Sequence, residues 1–247
     1  RSLRSPDLVS LGRLWRALCL NQDSAKVIFF DIDDTLLDYK TSQDKAALVF
    51  AKKYANYIQS PEDFAGVWDQ LTERHMARYL SGEISFQEQR RCRVIESLGL
   101  TLSPQDADRI FDEYYQIYEA SWSLFPDVES TLEKLTDFPL AVITNGDRDH
   151  QTYKLGKLGI LGYFTDVVTP ACAGAAKPDI AIFKHAALRA GKLPSQCWYI
   201  GDNHAADYQG AKSAGYKSVW LNRLGRQKDC ENQCKDLYEF LLKVQET

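Results

Sequence analysis

The chain has no apolar run near the roughly 18–20 residues that a membrane-spanning helix needs. Its densest stretch, Val27-Ile28-Phe29-Phe30, is cut off at once by Asp31-Ile32-Asp33-Asp34. A helical membrane span is therefore excluded. The start lacks the continuous apolar core of a secretory signal. Nor is there an excess of either charge: 30 Lys and Arg against 34 Asp and Glu give a net charge of −4. A balance so close to neutral offers nothing to nucleic acid or to an anionic membrane surface. Cysteine is sparse and unpatterned, at positions 19, 92, 172, 197, 230 and 234. Scattered thiols in a chain of 247 residues read as reduced and favour a cytoplasmic setting. Cys230 and Cys234 have no second Cys or His pair after them, which argues against zinc. Methionine occurs once, at Met76, and the first residue is Arg1, so the start is not that of an ordinary initiator. Repeats and low-complexity tracts are absent.

What is present is ordinary for a folded, soluble protein: 45% hydrophobic and 26% charged residues, enough for one or two domains with a real core. Residues 1–25 stand apart, with Arg1, Arg4, Arg13 and Arg16 against Asp7, the one acid before Asp23. Leu8, Leu11, Trp15 and Leu18 recur there at helical spacing. This basic N-terminal extension reads as leader or appended sequence, with a transit-like peptide as the alternative. Lys26–Phe30 has the profile of a buried strand. From residue 41 to 122 the pattern is helical, broken at Ser60-Pro61, Ser81-Gly82, Leu98-Gly99 and Ser103-Pro104, which predicts about four helices. Ser60 and Ser103, each followed by Pro, look like helix N-caps. After Phe125-Pro126-Asp127 strands and helices alternate, with strands expected at Leu140–Thr144, Phe164–Val168, Cys197–Ile200 and Ser218–Leu221. Alternation of this kind implies an α/β fold: a Rossmann-like parallel sheet with helices on both faces. The organisation expected is a core of residues 26–40 and 123–247 interrupted by an inserted helical domain, 41–122.

Ligands of open parallel sheets bind beyond the carboxyl ends of the strands, so the polar residues there carry the functional reading. They are Asp31 and Asp33 after the first strand, Thr144-Asn145-Gly146-Asp147 after the second, and Gly201-Asp202 with Asp207 after a later one. Lys177-Pro178 precedes a helix. Asp at such positions commonly does no more than cap a helix. Several acids converging on one sheet edge are another matter, because carboxylates held together repel unless a cation joins them. Asp31, Asp33 and Asp202 suit a hard divalent ion such as Mg²⁺. Thr144 and Lys177 supply a hydroxyl and a cation fit for phosphate oxygens.

The segments FFDIDDTLLD, VITNGD, KPDIAIF and YIGDNHAADYQGAKSAG resemble, in order, the four motifs of the haloacid dehalogenase-like (HAD) superfamily. The resemblance runs from Lys26 to Leu221, and the helical insert is similar to the family's helical cap. Haloacid dehalogenases themselves lack the second aspartate, whereas Asp33 is present here, so the resemblance implies phosphoryl transfer. It implies that Asp31 is the nucleophile and forms an aspartyl-phosphate, and that Asp33 is general acid and base. Asp31, the Asp33 main-chain carbonyl and Asp202 would hold Mg²⁺; Thr144, the Asn145 backbone and Lys177 would bind phosphate oxygens. Asp207 would orient Lys177 or a metal-bound water from behind. The loop Ala171–Ala176 departs from the family pattern by lacking an acid before the lysine. Cys172 lies there but has no nearby His to activate it.

The resemblance implies an Mg²⁺-dependent phosphomonoester hydrolase for a small phosphorylated metabolite, a nucleoside 5′-monophosphate or a sugar phosphate. The alternative is a phosphomutase with the same core motifs. Within the superfamily the chain is most similar to the group of pyrimidine 5′-nucleotidases and N-acylneuraminate-9-phosphatases. Thr144–Arg148 carries the neuraminate-phosphatase likeness; Tyr79–Ser85 and Val219–Asn222 carry the nucleotidase one. No nucleic-acid polymer or membrane is expected as a partner, and oligomeric state is not legible. Arg78, Arg90, Arg91 and Arg93 could reach substrate but read mostly as solvated helix faces. Tyr114, Tyr115 and Trp122 read as core.

Overall fold

The computed structural model describes residues 26–227 and 230–246. The basic N-terminal stretch lies outside the described residues. Six strands form one sheet in the order β3-β2-β1-β4-β5-β6: β1 (Val27–Phe30), β2 (Leu140–Ile143), β3 (Phe164–Val168), β4 (Cys197–Gly201), β5 (Lys217–Leu221) and β6 (Gln233–Cys234). Every pairing is parallel. Five helices lie between β1 and β2: α1 (Tyr39–Lys53), α2 (Phe64–Leu80), α3 (Phe86–Leu98), α4 (Pro104–Ala120) and α5 (Val128–Lys134). Then α6 (Arg148–Lys157) follows β2, α7 (Ile180–Arg189) follows β3, and α8 (Leu237–Gln245) follows β6. This is the α/β Rossmann-like arrangement that the strand–helix alternation predicts.

β1, β2 and β4 are buried along their whole length, as expected for strands covered on both faces. Successive side chains of β1 serve opposite cores. Ile28 and Phe30 pack with Val128 and Leu132 of α5 and with Phe240 and Val244 of α8. Val27 and Phe29 join Ile182, Phe183 and Ala186 of α7 on the other face. The strand order places β1 and β4 side by side, and the chain leaves β1 toward β2, away from β4. A crevice opens where connections diverge in this way. The backbone N–H of Asp31 donates to the Ile200 carbonyl at 3.0 Å, so the two loops that carry the acids leave the sheet together.

Helices α1 to α4 enclose an aromatic core of their own, built on Phe50, Phe64, Trp68, Phe111, Tyr114 and Tyr118. Their boundaries follow the turn residues. Ser85 and Glu88 form a reciprocal capping box at α3, and Gly99 ends it in the left-handed conformation, φ 62°. Ser103 accepts from the Asp106 N–H with Pro104 in the first position of α4, as the sequence predicts. The other expected cap differs: the chain turns once more after Ser60-Pro61, and α2 starts at Phe64, with Asp63 as a cap residue that makes no side-chain bond. Starting there puts Phe64, 1% exposed, directly into the aromatic core.

Two elements go beyond the sequence reading, which stops at Leu221. The two-residue β6 is too short to show any period. In α8, Leu237, Phe240, Leu241 and Val244 are all buried at i, i+3, i+4 and i+7, a readable helical stripe. The helix after β4 begins as a π-helical turn, His204–Gln209, and runs into Gly210–Ser213. No helix among the described residues is long and apolar enough to cross a membrane.

Candidate active site

At the end of β1 the chain reverses. The N–H groups of Thr35, Leu36 and Leu37 all donate to the Ile32 carbonyl, and Asp34 takes φ 57°. This turn sends the two aspartates to different cations. Lys177 Nζ donates to Asp31 Oδ1 at 2.6 Å, whereas Lys154 Nζ donates to Asp33 Oδ1 at 2.6 Å. Asp33 Oδ2 also accepts from Gln151 Nε2 at 3.0 Å.

Lys177 is the hub. Its ammonium donates to Asp207 Oδ1 at 2.7 Å and to the Tyr199 hydroxyl at 2.9 Å, in addition to Asp31. Its backbone is held by the Asn145 side chain, which accepts from Lys177 N at 2.8 Å and donates to the Lys177 carbonyl at 2.9 Å. The Lys177-Pro178 peptide is cis. Thr144, 2% exposed, receives the Gly146 N–H and Gln151 Nε2 on its hydroxyl, both at 3.1 Å. Asp202 is fixed through its backbone, its N–H to Thr35 Oγ1 at 3.1 Å and its carbonyl to Trp220 Nε1 at 2.8 Å. Asp207 accepts from Lys177, from the Tyr199 hydroxyl and from the Asn203 N–H.

Electrostatics sort these acids. Burial raises the Asp31 carboxyl to about 7; Lys177 opposes the rise, and Asp207 adds to it. Asp202 is raised to about 8 by burial, then by Asp207 and Asp31. For Asp33 burial also favours the neutral acid, but the Lys154 charge and the bonds from Lys154 and Gln151 outweigh it and hold the carboxyl low. Burial disfavours a charged Lys177 ammonium, yet Asp207 and Asp31 more than offset that and raise its pKa. His150 falls to about 3, through burial and then the Lys154 charge, and is neutral at ordinary pH.

Carboxylate oxygens of Asp31, Asp202 and Asp207 lie within 4.8 Å of one another. Two of these acids have raised pKa values, first through burial and then through the neighbouring carboxylates, with Lys177 opposing the rise. Hard oxygen donors with unmet charge are the environment a small divalent cation fits. Asp207 already accepts three protein hydrogen bonds, so its place is behind the cluster. The Asp33 carboxylate is turned to Lys154 and is not among the three; only its main-chain carbonyl is left for a cation.

Every residue predicted from the strand ends is thus on one sheet edge. A model of the haloacid dehalogenase-like hydrolases matches residues 25–215. The chain belongs to this family. Its HAD relatives include a glyceraldehyde 3-phosphate phosphatase of Methanopyrus kandleri, 30% identical over 85% of this chain and 89% of the relative. Another is N-acylneuraminate-9-phosphatase of Mus musculus, 26% identical over 81% of this chain and 84% of the relative. Among solved structures, the Bacillus subtilis HAD hydrolase YfnB bound to magnesium aligns with a TM-score of 0.75 at 20% identity. That alignment covers 90% of this chain and 99% of the other, a likeness of fold. The chain is a HAD hydrolase, and these curated relatives are phosphatases.

Sequence reasoning missed three residues of this HAD site: Gln151, Lys154 and Tyr199. Gln151 and Lys154 are three apart on α6, beside buried Leu155. That spacing marks an inward face, but the charged run Arg148–Lys157 disguises it. Tyr199 looks like an ordinary strand aromatic. The arginines divide. Arg91 pairs with Asp108 at 2.7 Å and Arg78 with Glu83 at 2.7 Å, on the helix surface as expected, whereas Arg90 and Arg93 line the cavity above the acids. Tyr114 is core as expected, and Tyr115 borders that cavity.

Proposed function

We propose that the protein is an Mg²⁺-dependent phosphomonoester hydrolase that works through an aspartyl-phosphate in the cytoplasm, where its thiols stay reduced. The observation that carries this reading is the meeting of Asp31, Asp202 and Asp207 with Lys177 at the carboxyl ends of β1 and β4. In this reading residues 26–40 and 123–247 form the catalytic core and residues 41–122 the cap that admits substrate.

Asp31 attacks phosphorus, the bond to the leaving oxygen breaks, and Asp33 gives that oxygen a proton. The arriving phosphate dianion raises the proton affinity of Asp33, against the hold of Lys154. Water then attacks the acyl phosphate, Asp33 takes its proton, and phosphate leaves with Asp31 restored. Thr144, the Asn145 backbone and Lys177 hold the oxygens that do not react. Asp31, the Asp33 carbonyl and Asp202 would hold Mg²⁺, which neutralises phosphate charge when bound. Positioning and charge neutralisation have most to supply, because acid–base help gives only ~10²–10⁴ of an acceleration that reaches ~10²¹ for phosphate monoesters.

The substrate is a small phosphorylated metabolite, a sugar phosphate or a nucleoside 5′-monophosphate; the relatives that act on glyceraldehyde 3-phosphate and N-acylneuraminate 9-phosphate favour the former. Hydrolysis of p-nitrophenyl phosphate tests the reaction class. Full activity with millimolar Mg²⁺ and loss of at least 95% in EDTA, restored by Mg²⁺, is expected as an order-of-magnitude outcome. Turnover indifferent to EDTA would refute the metal assignment, and isomerisation of a sugar phosphate without release of phosphate would identify a mutase instead.

Gly201 gives a second test. A Cβ there would lie 2.4 Å from Asp207 Oδ2, so any side chain displaces the partner of Lys177. Gly201→Ala is expected to lower turnover about tenfold or more and stability by about 1–3 kcal/mol, as measured by steady-state kinetics and thermal melts. Wild-type values for both would show that the Asp207–Lys177 contact is dispensable.

A further inference from the structure

The cavity of about 850 Å³ that contains Asp31 and Lys177 extends to α3, where Arg90 and Arg93 line it. The lysines on its other walls are already matched. Asp31 and Asp207 share Lys177, Asp33 has Lys154, and Asp69 has Lys40 and Gln43. The two arginines are different. Neither makes an ion pair with any described residue.

Arg93 is 6% exposed, Gln89 Oε1 at 3.4 Å is its one side-chain acceptor, and its buried Nε has no partner among the described residues. Its guanidinium lies over Trp68, Phe111 and Tyr114, with centroids 4.7, 5.1 and 5.8 Å away. Arg90, one turn earlier on the same face of α3, lies over Phe86, Phe111 and Tyr115 at 4.5, 5.2 and 5.4 Å. Aromatic faces support a guanidinium through its π surface but accept few of its five N–H donors. A buried cation without an anion is costly. Arg93 is such a cation and Arg90 a half-buried one; fixed by the same aromatic wall and opening on the same cavity, they form a preorganised fork for a planar or tetrahedral anion.

We infer that Arg90 and Arg93 bind a second anionic group of the substrate, a carboxylate or a further phosphate, remote from the phosphoryl group that Asp31 attacks. The preferred substrates are therefore phosphomonoesters that are also acids or bisphosphates. This inference rests on the phosphatase reading given above. The second anion is not consumed; it positions the ester, so its binding energy is spent on orientation at phosphorus.

The test compares matched esters on the full chain with Mg²⁺: 3-phosphoglycerate with glycerol 3-phosphate, 6-phosphogluconate with glucose 6-phosphate, and fructose 1,6-bisphosphate with fructose 6-phosphate. The readout is the kcat/KM ratio within each pair. In at least one pair the wild type is expected to favour the doubly anionic member by about tenfold or more. Arg93→Met and Arg90→Met are each expected to reduce that ratio by about 10- to 100-fold, the worth of a lost charge-assisted contact. Arg90 is half-buried and outside the aromatic core proper, so its variant carries the test if Arg93→Met fails to fold. A ratio near one in all three pairs, or a preference that survives both substitutions, overturns the inference. Hydrolysis of p-nitrophenyl phosphate, which has no second anion, separates the two levels. If it is cleaved while the ratios stay flat, only the second-anion site falls; if it is not cleaved, the phosphatase reading falls with it.

Discussion

Asp31→Asn is expected to fold normally and to lose turnover by at least about 10⁴-fold, because an amide cannot form the acyl phosphate. The electrostatics explain why the fold survives. Burial already pushes the Asp31 carboxyl up to about 7, so its charged form is a weak contributor to the folded state. Asparagine keeps nearly the same shape and an oxygen for Lys177 to donate to. Lys177 also retains Asp207 and Tyr199. A melting temperature within a few degrees of the wild type, with product release measured over hours, checks both halves. Turnover within tenfold of the wild type would remove Asp31 from the nucleophile role and the aspartyl-phosphate with it.

Lys177→Met has the largest expected effect on stability. Its ammonium is buried and is the shared cation for Asp31 and Asp207. Removing one partner of a buried pair leaves uncompensated charge, typically costing about 3–5 kcal/mol. In a chain of this size that corresponds to a fall in melting temperature on the order of 10 °C, together with loss of turnover. Because the deficit is one of positive charge beside three acids, millimolar MgCl₂ is expected to raise the melting temperature of the variant more than that of the wild type. An unchanged melt, or no difference in the response to Mg²⁺, would mean that the acids are neutral in the folded protein and that the cluster does not select a cation.

The strand ends were legible because each joins two conspicuous features: an apolar run such as Val27–Phe30 and polar residues where the run stops. Lys177 stood out beside a proline and a helix start. The turn after Ile32 was not legible. Asp31 and Asp33, two apart, look as though an extended backbone would aim them together, but backbone bonds to the Ile32 carbonyl reverse the chain and direct them to separate lysines. Lys154 was hidden because a buried lysine and a solvated one are the same letter, and only packing shows that it is 1% exposed. Arg78, Arg90, Arg91 and Arg93 posed the same difficulty. Arg91 and Arg78 find acids three-dimensionally close to them, and nothing in their spacing distinguishes them from Arg90 and Arg93, which do not.

The position of β1 in the chain has a consequence for how the protein assembles. The first strand lies in the middle of the sheet, yet its neighbours Leu140 and Cys197 come from far along the sequence. Helices α1 to α4, by contrast, come from one unbroken segment of the chain and own a separate core. Contacts of short sequence separation form early and distant pairings late. The helical block can therefore consolidate before the sheet closes around Asp31. In that order the catalytic edge is the last part of the molecule to exist, and refolding measured by activity trails refolding measured by helix content.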